Sequence, residues 1–415
     1  MSGNKNFYFS FFIFLIFVGA CSPKTTPRRK NPTTEEPAKV AKEEPKKEVE
    51  KPKAVVKEKQ EMIVSLILPF ELTNLNYRTA NLQDLRKAEI AIDFYQGFKM
   101  GLDSIAHQKD GMNFKLQVFD SKDDPTQLGA LAAKGTLKAS DLVVGPVFPN
   151  GIKTFSMFSK NLKLPMVSPL AASDPDTFNN PYLISVNNSL DQHTYKAASF
   201  IKNELKPKKV ILIRSGQADE YKYAVPFKEG MDSLAKGIAF TEIGIKAVGY
   251  KNVYKSLNPT GLNVIVLPAT DRVFLIEILK TLEELSTNFQ IAVIGHPGWE
   301  KATFLDMDQL EKLNTYITSA YQIDYKSSRS TNFVKYYRSN FSLEPSEYAF
   351  KGFDIGYYFG MLMNEKGKDF MAEILKKPFD GIHNDFNFMK NPKFGYYNTS
   401  LMMMRYQFGT LRKVD

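Results

Sequence analysis

Apolar runs alternate with amphipathic helical stretches along this chain, and the alternation happens twice. Residues 62–68 form a nearly continuous apolar run with Val and Ile, the pattern of a strand covered on both faces of a parallel sheet, and the run stops at Pro69. Ala91, Phe94, Tyr95, Phe98, Leu102 and Ile105 follow at spacings of three and four, which puts them on one helical face. Residues 114–119 predict a second strand, closed by the polar turn 120–123. Asp124 and Pro125 have the chemistry of an N-cap and a first helical residue, opening a helix through Leu137. A strand over 141–144, a helix over 152–162 and a short strand over 165–167 continue the series. Such alternation predicts a doubly wound parallel sheet whose ligand crevice lies beyond the carboxyl ends of its strands.

After a break the pattern restarts. Helices are expected over 190–205, 225–235 and 273–285, and strands over 209–214, 238–245, 263–268 and 290–294. The fold class is therefore α/β, with two doubly wound parallel-sheet lobes joined by a hinge and a cleft between them. The 415 residues, 43% hydrophobic and 13% aromatic, are ample for two such cores.

The first sixty residues have another character. Lys5 precedes an almost wholly apolar run from Phe7 to Phe17, too short to span a bilayer comfortably, and Gly19 and Ala20 stand directly before Cys21. This is the layout of an export signal over 1–20, and Val18-Gly19-Ala20-Cys21 resembles a bacterial lipobox, which implies diacylation of Cys21 as the mature N-terminus. Ser22 after the cysteine points to the outer membrane rather than the inner. Residues 21–61 are rich in Lys, Glu, Pro and Thr, cannot bury enough surface to offset their ordering entropy, and are expected to be a disordered tether. Residues 22–60 hold twelve Lys and Arg against seven Glu, so about half of the net charge of +10 belongs to this stretch. The remainder is close to neutral and gives little electrostatic reason to expect nucleic acid as a partner. One cysteine in the chain excludes a disulfide framework, and His107, His193, His296 and His383 are too scattered to suggest a metal site.

The order of landmarks from residue 62 to 415 resembles the type I periplasmic solute-binding proteins, especially the branched-chain amino-acid group. The residues that carry the likeness begin with Leu66-Ile67-Leu68-Pro69-Phe70, Gly97 and Gly101, then Asp120 with Asp124-Pro125, Val143-Val144-Gly145-Pro146 and Leu164-Pro165-Met166-Val167-Ser168-Pro169. Tyr336-Tyr337, Pro345, Tyr348-Ala349 and Gly352-Phe353-Asp354 complete them, the last group marking a helix that returns to the first lobe. The resemblance implies three crossovers, near residues 188, 322 and 385. The first lobe would comprise 62–188 and 323–385, the second 189–322 and 386–415.

It also implies where a ligand would bind. Loops after the strands hold Phe70, Asn150, Ala171, Ala172, Ser173, Tyr221, Thr270, Trp299 and Glu300. For an amino-acid-like ligand, Ser173 and nearby backbone would take the carboxylate, Tyr221 would cover the molecule and Glu300 would pair with the ammonium. Phe148-Pro149-Asn150 stands where amino-acid-binding members usually have Ser or Thr, and Lys222-Tyr223 where a small Gly is usual. Blander roles compete at several positions. Ser173 could cap the following helix, Tyr221 could be an exposed loop residue, and Trp299 could be core. Asp354 reads as structural, Phe353, Tyr357, Tyr358 and Phe359 as helical core, and Met402-Met403-Met404 as a packed late strand.

No nucleophile elbow, phosphate loop, zinc-protease helix or dinucleotide fingerprint occurs, so an enzyme is not expected, nor is a cofactor. Two functions remain. One is a lipoprotein that binds a small polar ligand for an ABC permease. The other is a non-transport interaction lipoprotein, resembling penicillin-binding-protein activators, that contacts a peptidoglycan synthase.

Overall fold

The computed structural model describes residues 61–414, apart from 72–75, 77, 80 and 134. The expected signal, Cys21 and the tether lie outside the described residues. In chain order the elements begin β1 (Glu61–Leu68), α1 (Leu82–Ala106), β2 (Asn113–Asp120), α2 (Pro125–Ala133), β3 (Leu142–Val144), α3 (Pro149–Leu162), β4 (Met166–Ser168) and β5 (Leu183–Ser185). They continue with α4 (Leu190–Phe200), β6 (Lys209–Arg214), α5 (Tyr221–Leu234), β7 (Ala239–Gly244), α6 (Ile245–Val248), β8 (Asn263–Leu267), α7 (Arg272–Ser286), β9 (Ile291–Gly295), α8 (Met307–Lys312) and β10 (Thr315–Ser319). The last part comprises α9 (Ser328–Phe341), α10 (Glu347–Lys366), β11 (Phe379–Asp380), β12 (Asp385–Phe386), β13 (Phe388–Asn391), β14 (Gly395–Asn398), β15 (Met402–Gln407) and β16 (Thr410–Lys413).

Two sheets of seven strands carry the architecture. The first runs β2-β1-β3-β4-β5-β14-β13 and the second β7-β6-β8-β9-β10-β15-β16, so the same order is built twice. In both, the first five strands are parallel and the C-terminal segment finishes one edge: β14 adds parallel to β5 with β13 antiparallel to it, whereas β15 adds antiparallel to β10 with β16 antiparallel to it. Strand order reverses between β1 and β3, and again between β6 and β8, which leaves a crevice at the carboxyl ends there.

Alternation along each strand sends side chains to opposite layers. Val64, Leu66 and Leu68 pack with Phe94, Phe98, Tyr358 and Phe359 of α1 and α10, whereas Ile67 packs with Leu128, Ile152 and Phe155 of α2 and α3. In the second sheet Ile265 and Leu267 face α7, and Val264 and Val266 face α4 and α5. Met402, Met403 and Met404 are buried in β15. Helices α1 and α10 approach so closely that a Cβ on Gly97 would collide with the Ala349 carbonyl, and one on Gly352 with the Phe94 carbonyl.

Three boundaries differ from expectation. α2 ends at Ala133 instead of Leu137, because Gly135 takes a left-handed conformation with φ of 73° and Leu137 is buried from a separate 3-10 turn. α5 starts at Tyr221, four residues early: the buried Glu220 carboxylate accepts N–H groups of Ser215 and Gly216, folding the loop onto the helix start. The crossover expected near residue 385 lies at 399–401. β13 and β14 still belong to the first sheet, and Phe388 and Tyr396 are buried in its core.

Among the described residues no helix is long and apolar enough to cross a membrane. The helix crossing gives a direct test. Gly352→Ala is expected to destabilise the fold by about 2 kcal/mol through overpacking, read as a lower urea midpoint with an unchanged slope.

Candidate functional site

A cleft of about 520 Å³ opens where the carboxyl ends of the two sheets face each other. From the first lobe come Phe148 and Pro149 at the start of α3, Ala171 and Ala172 after β4, and Glu347, Tyr348 and Lys351 on α10. The second lobe contributes His193 on α4, Glu300 and Lys301 after β9, and Thr318 and Ser319 at the end of β10. Asn187, Asn188 and Tyr321 line it from segments that pass between lobes, and His383 from the first-lobe loop between β11 and β12.

The floor is organised by a carboxylate outside the cleft. Asp354 on α10 is fully buried and accepts N–H groups of Ile382 at 2.9 Å, His383 at 2.8 Å and Asn384 at 2.9 Å. Burial pushes its pKa up to about 7, against the three donors that favour the anion. The fixed loop sets the His383 ring parallel to Tyr321, with centroids 4.3 Å apart. His383 Nδ1 lies 2.6 Å from Asn384 Oδ1, and the Asn384 amide donates to the Ala320 carbonyl. That second bond fixes the Asn384 oxygen toward the ring, so Nδ1 carries the proton. Burial, reinforced by the Lys351 charge, holds the His383 pKa well below its ordinary value.

Charges around the cleft are paired unequally. The Glu347 carboxylate accepts from Lys301 at 2.5 Å and from the Tyr321 hydroxyl at 2.8 Å. Burial opposes its ionisation, but these two donors prevail and hold the carboxyl below its usual range. Since Lys301 belongs to the second lobe and Glu347 to the first, this pair spans the cleft mouth. Glu300 is different: burial raises its pKa, and the Ser319 hydroxyl 3.2 Å away only partly compensates. Lys351 is buried on α10, donates to Asn187 Oδ1, and has its pKa lowered to about 8 by burial. His193, hydrogen-bonded through Nδ1 to the Thr318 hydroxyl, is lowered to about 4, first by burial and then by His296.

Of the residues expected from sequence, Ala171, Ala172 and Glu300 meet in this cleft. The others do not line it. Phe70 is half-buried against the Tyr95 ring and the first-lobe core. Asn150 is exposed in the first turn of α3, where its carbonyl accepts the Thr154 hydroxyl. Ser173 lies beside the cleft, and Asp174 rather than Ser173 caps the turn that follows. Tyr221 is 49% exposed on α5, its ring 4.4 Å from the Arg214 guanidinium. Thr270 borders a separate depression with Gln217 and Asp219. Trp299 is buried and donates its indole N–H to the Ala269 carbonyl at 2.9 Å, which is the core role. Tyr223 is buried against Phe227 and His296 in the second lobe, whereas Phe148 lines the cleft.

Sequence reasoning did not find Glu347, Lys351, Asn187, Asn188, Tyr321 or His383. A signal was present: Glu347, Lys351 and Asp354 recur at spacings of four and three on an otherwise apolar helix. Among the described residues no group of three or more His, Cys, Asp or Glu could hold a metal.

The fold coincides with that of a known family. The family profile described as periplasmic binding protein matches residues 87–409, and the chain belongs to that family. Solved structures share its type I two-lobed fold. An ABC-type branched-chain amino acid transporter from Rhodopseudomonas palustris superposes with a TM-score of 0.62 at 16% identity, covering 85% of this chain and 96% of that one. An ABC transporter substrate-binding protein from Desulfitobacterium hafniense, in complex with Leu, gives 0.56 at 15% identity and covers 86% and 100%. One from Sphaerobacter thermophilus gives 0.55 at 16%, covering 86% and 97%. No curated protein matches the chain by sequence.

The Asp354 anchor yields a prediction. Asp354→Ala leaves three buried N–H groups without acceptors, and should cost about 3 kcal/mol or more, seen as a lowered denaturation midpoint.

Proposed function

We propose that the protein binds a small, amino-acid-like zwitterion between its lobes and hands it to an ABC permease. The observation that carries this reading is Glu300. A half-buried carboxylate, its pKa raised by burial despite the Ser319 and Tyr321 hydroxyls and the Lys301 charge, stands in an open cleft on the lobe opposite Ala171 and Ala172. An ammonium beside Glu300 would restore the charge partner that burial removes, and the backbone after β4 faces the carboxylate end. Closure of the lobes would then bring both ends of the ligand under protein groups at once. The Rhodopseudomonas structure is that of a branched-chain amino acid transporter and the Desulfitobacterium one holds Leu, which agrees with a ligand of this size.

Anchoring belongs to the same proposal. Cys21 would carry the acyl chains, and residues 22–60 would let the lobes stand off the membrane surface, the outer membrane being the preferred one because of Ser22. The alternative role, contact with a peptidoglycan synthase, draws support from Phe148 in the cleft.

Calorimetric titration with the twenty amino acids tests the ligand. Binding of at least one is expected, and Glu300→Gln should weaken it about tenfold to a hundredfold. The ligand needs Glu300 ionised, so wild-type affinity should be lost as pH falls through a midpoint above 4.5, and the Gln variant should lack that dependence. Failure of every amino acid, with recovery of a synthase in pull-downs, would favour the alternative. Alkynyl fatty-acid labelling of cells should mark the wild-type chain and leave Cys21→Ala unlabelled.

A further inference from the structure

Two buried acceptors on the cleft floor have no hydrogen-bond partner among the described residues. Asn188, 2% exposed, donates its amide N–H to the Asn398 carbonyl at 2.9 Å, which fixes the orientation of the group and leaves Oδ1 unpaired. His383, 4% exposed, carries its proton on Nδ1 toward Asn384, which leaves Nε2 as an unpaired lone pair. Both residues line the cleft. Buried acceptors of this kind are costly unless something donates to them, and neither can rotate to donate itself. The Lys351 ammonium lines the same floor, bonded to Asn187 Oδ1.

These neighbours restrict what can sit there. A carboxylate would face two lone pairs. An ammonium would face Lys351. An aliphatic group would leave both acceptors desolvated and unpaired. A neutral carboxamide satisfies all three, giving one N–H each to Asn188 and His383 and taking a hydrogen bond from Lys351 on its oxygen, whereas a hydroxyl has a single O–H to give. We propose that the floor formed by Asn188, His383 and Lys351 is a specificity subsite for a carboxamide on the ligand. The inference rests on the cleft being a small-molecule site, and it separates this chain's preference from aliphatic ligands of similar volume. Asn188 lies at the end of the first sheet and His383 on a loop anchored to α10 of the same lobe, so both acceptors are in place before the lobes close.

The test uses the full-length chain without substitutions, in two arms. In the first, isosteric amino acids are titrated against it: asparagine is expected to bind about a hundredfold tighter than leucine, because a site built for a polar group rejects the analogue lacking it. Equal affinity, or preference for leucine, overturns the subsite while leaving the amino-acid reading intact. In the second, the histidine-labelled chain is titrated with acetamide, acetate and ethylammonium, and the ring nitrogen resonances are followed. A saturable shift of His383 Nε2 with acetamide alone supports the subsite even if no amino acid binds, in which case only the amino-acid reading falls. No acetamide response, or an equal response to either ion, overturns it.

Discussion

The triple hydrogen bond from residues 382–384 to the Asp354 carboxylate is the constraint on which the cleft depends. Asp354 is carried by α10, and α10 is packed against α1 at a glycine-lined crossing in the first-lobe core. A loop that would otherwise be a free connection is thereby referred to the most rigid part of the molecule. A side chain on Gly381 would collide with Asp354 itself, so the loop can come this close only with glycine there. His383, Tyr321 and through Tyr321 the carboxylate of Glu347 take their positions from that anchor.

Around this fixed floor the charges divide into two kinds. Lys301 and Glu347 satisfy each other across the cleft mouth, and an ion pair this exposed contributes about 0–1 kcal/mol, so it biases the lobes without locking them. Glu300 and Lys351 are instead displaced from their ordinary titration by burial, one upward and one downward. Groups held in that condition gain most from a partner that arrives from solution.

Much of the fold was legible because buried parallel strands advertise themselves. The runs that became β1, β6, β8 and β9 are short, apolar and closed by turn residues, and helix faces such as Phe94, Phe98 and Leu102 keep their period. The third crossover was not legible, since β13 and β14 are short and mixed in polarity, and β14 pairs with β5 about two hundred residues away. For the site, post-strand loops pointed to Ala171, Ala172 and Glu300 but also to Trp299, whose role depends on which way a 3-10 turn directs its ring. Glu347 and Lys351 escaped because a charged stripe on a helix reads as a solvated face. Only tertiary packing turns that stripe inward.

The edge strands supplied by the C-terminal segment bear on how the chain acquires its structure. Until residues beyond 386 have emerged from the ribosome, β5 and β10 both lack their outer neighbours, and α1 lacks the helix that covers it until α10 has been made. Neither half can close vectorially, and contacts such as Met112 N–H to Asn364, 252 positions apart, form late. A high-contact-order chain of this sort folds slowly. Both sheets are therefore completed only by the C-terminal strands.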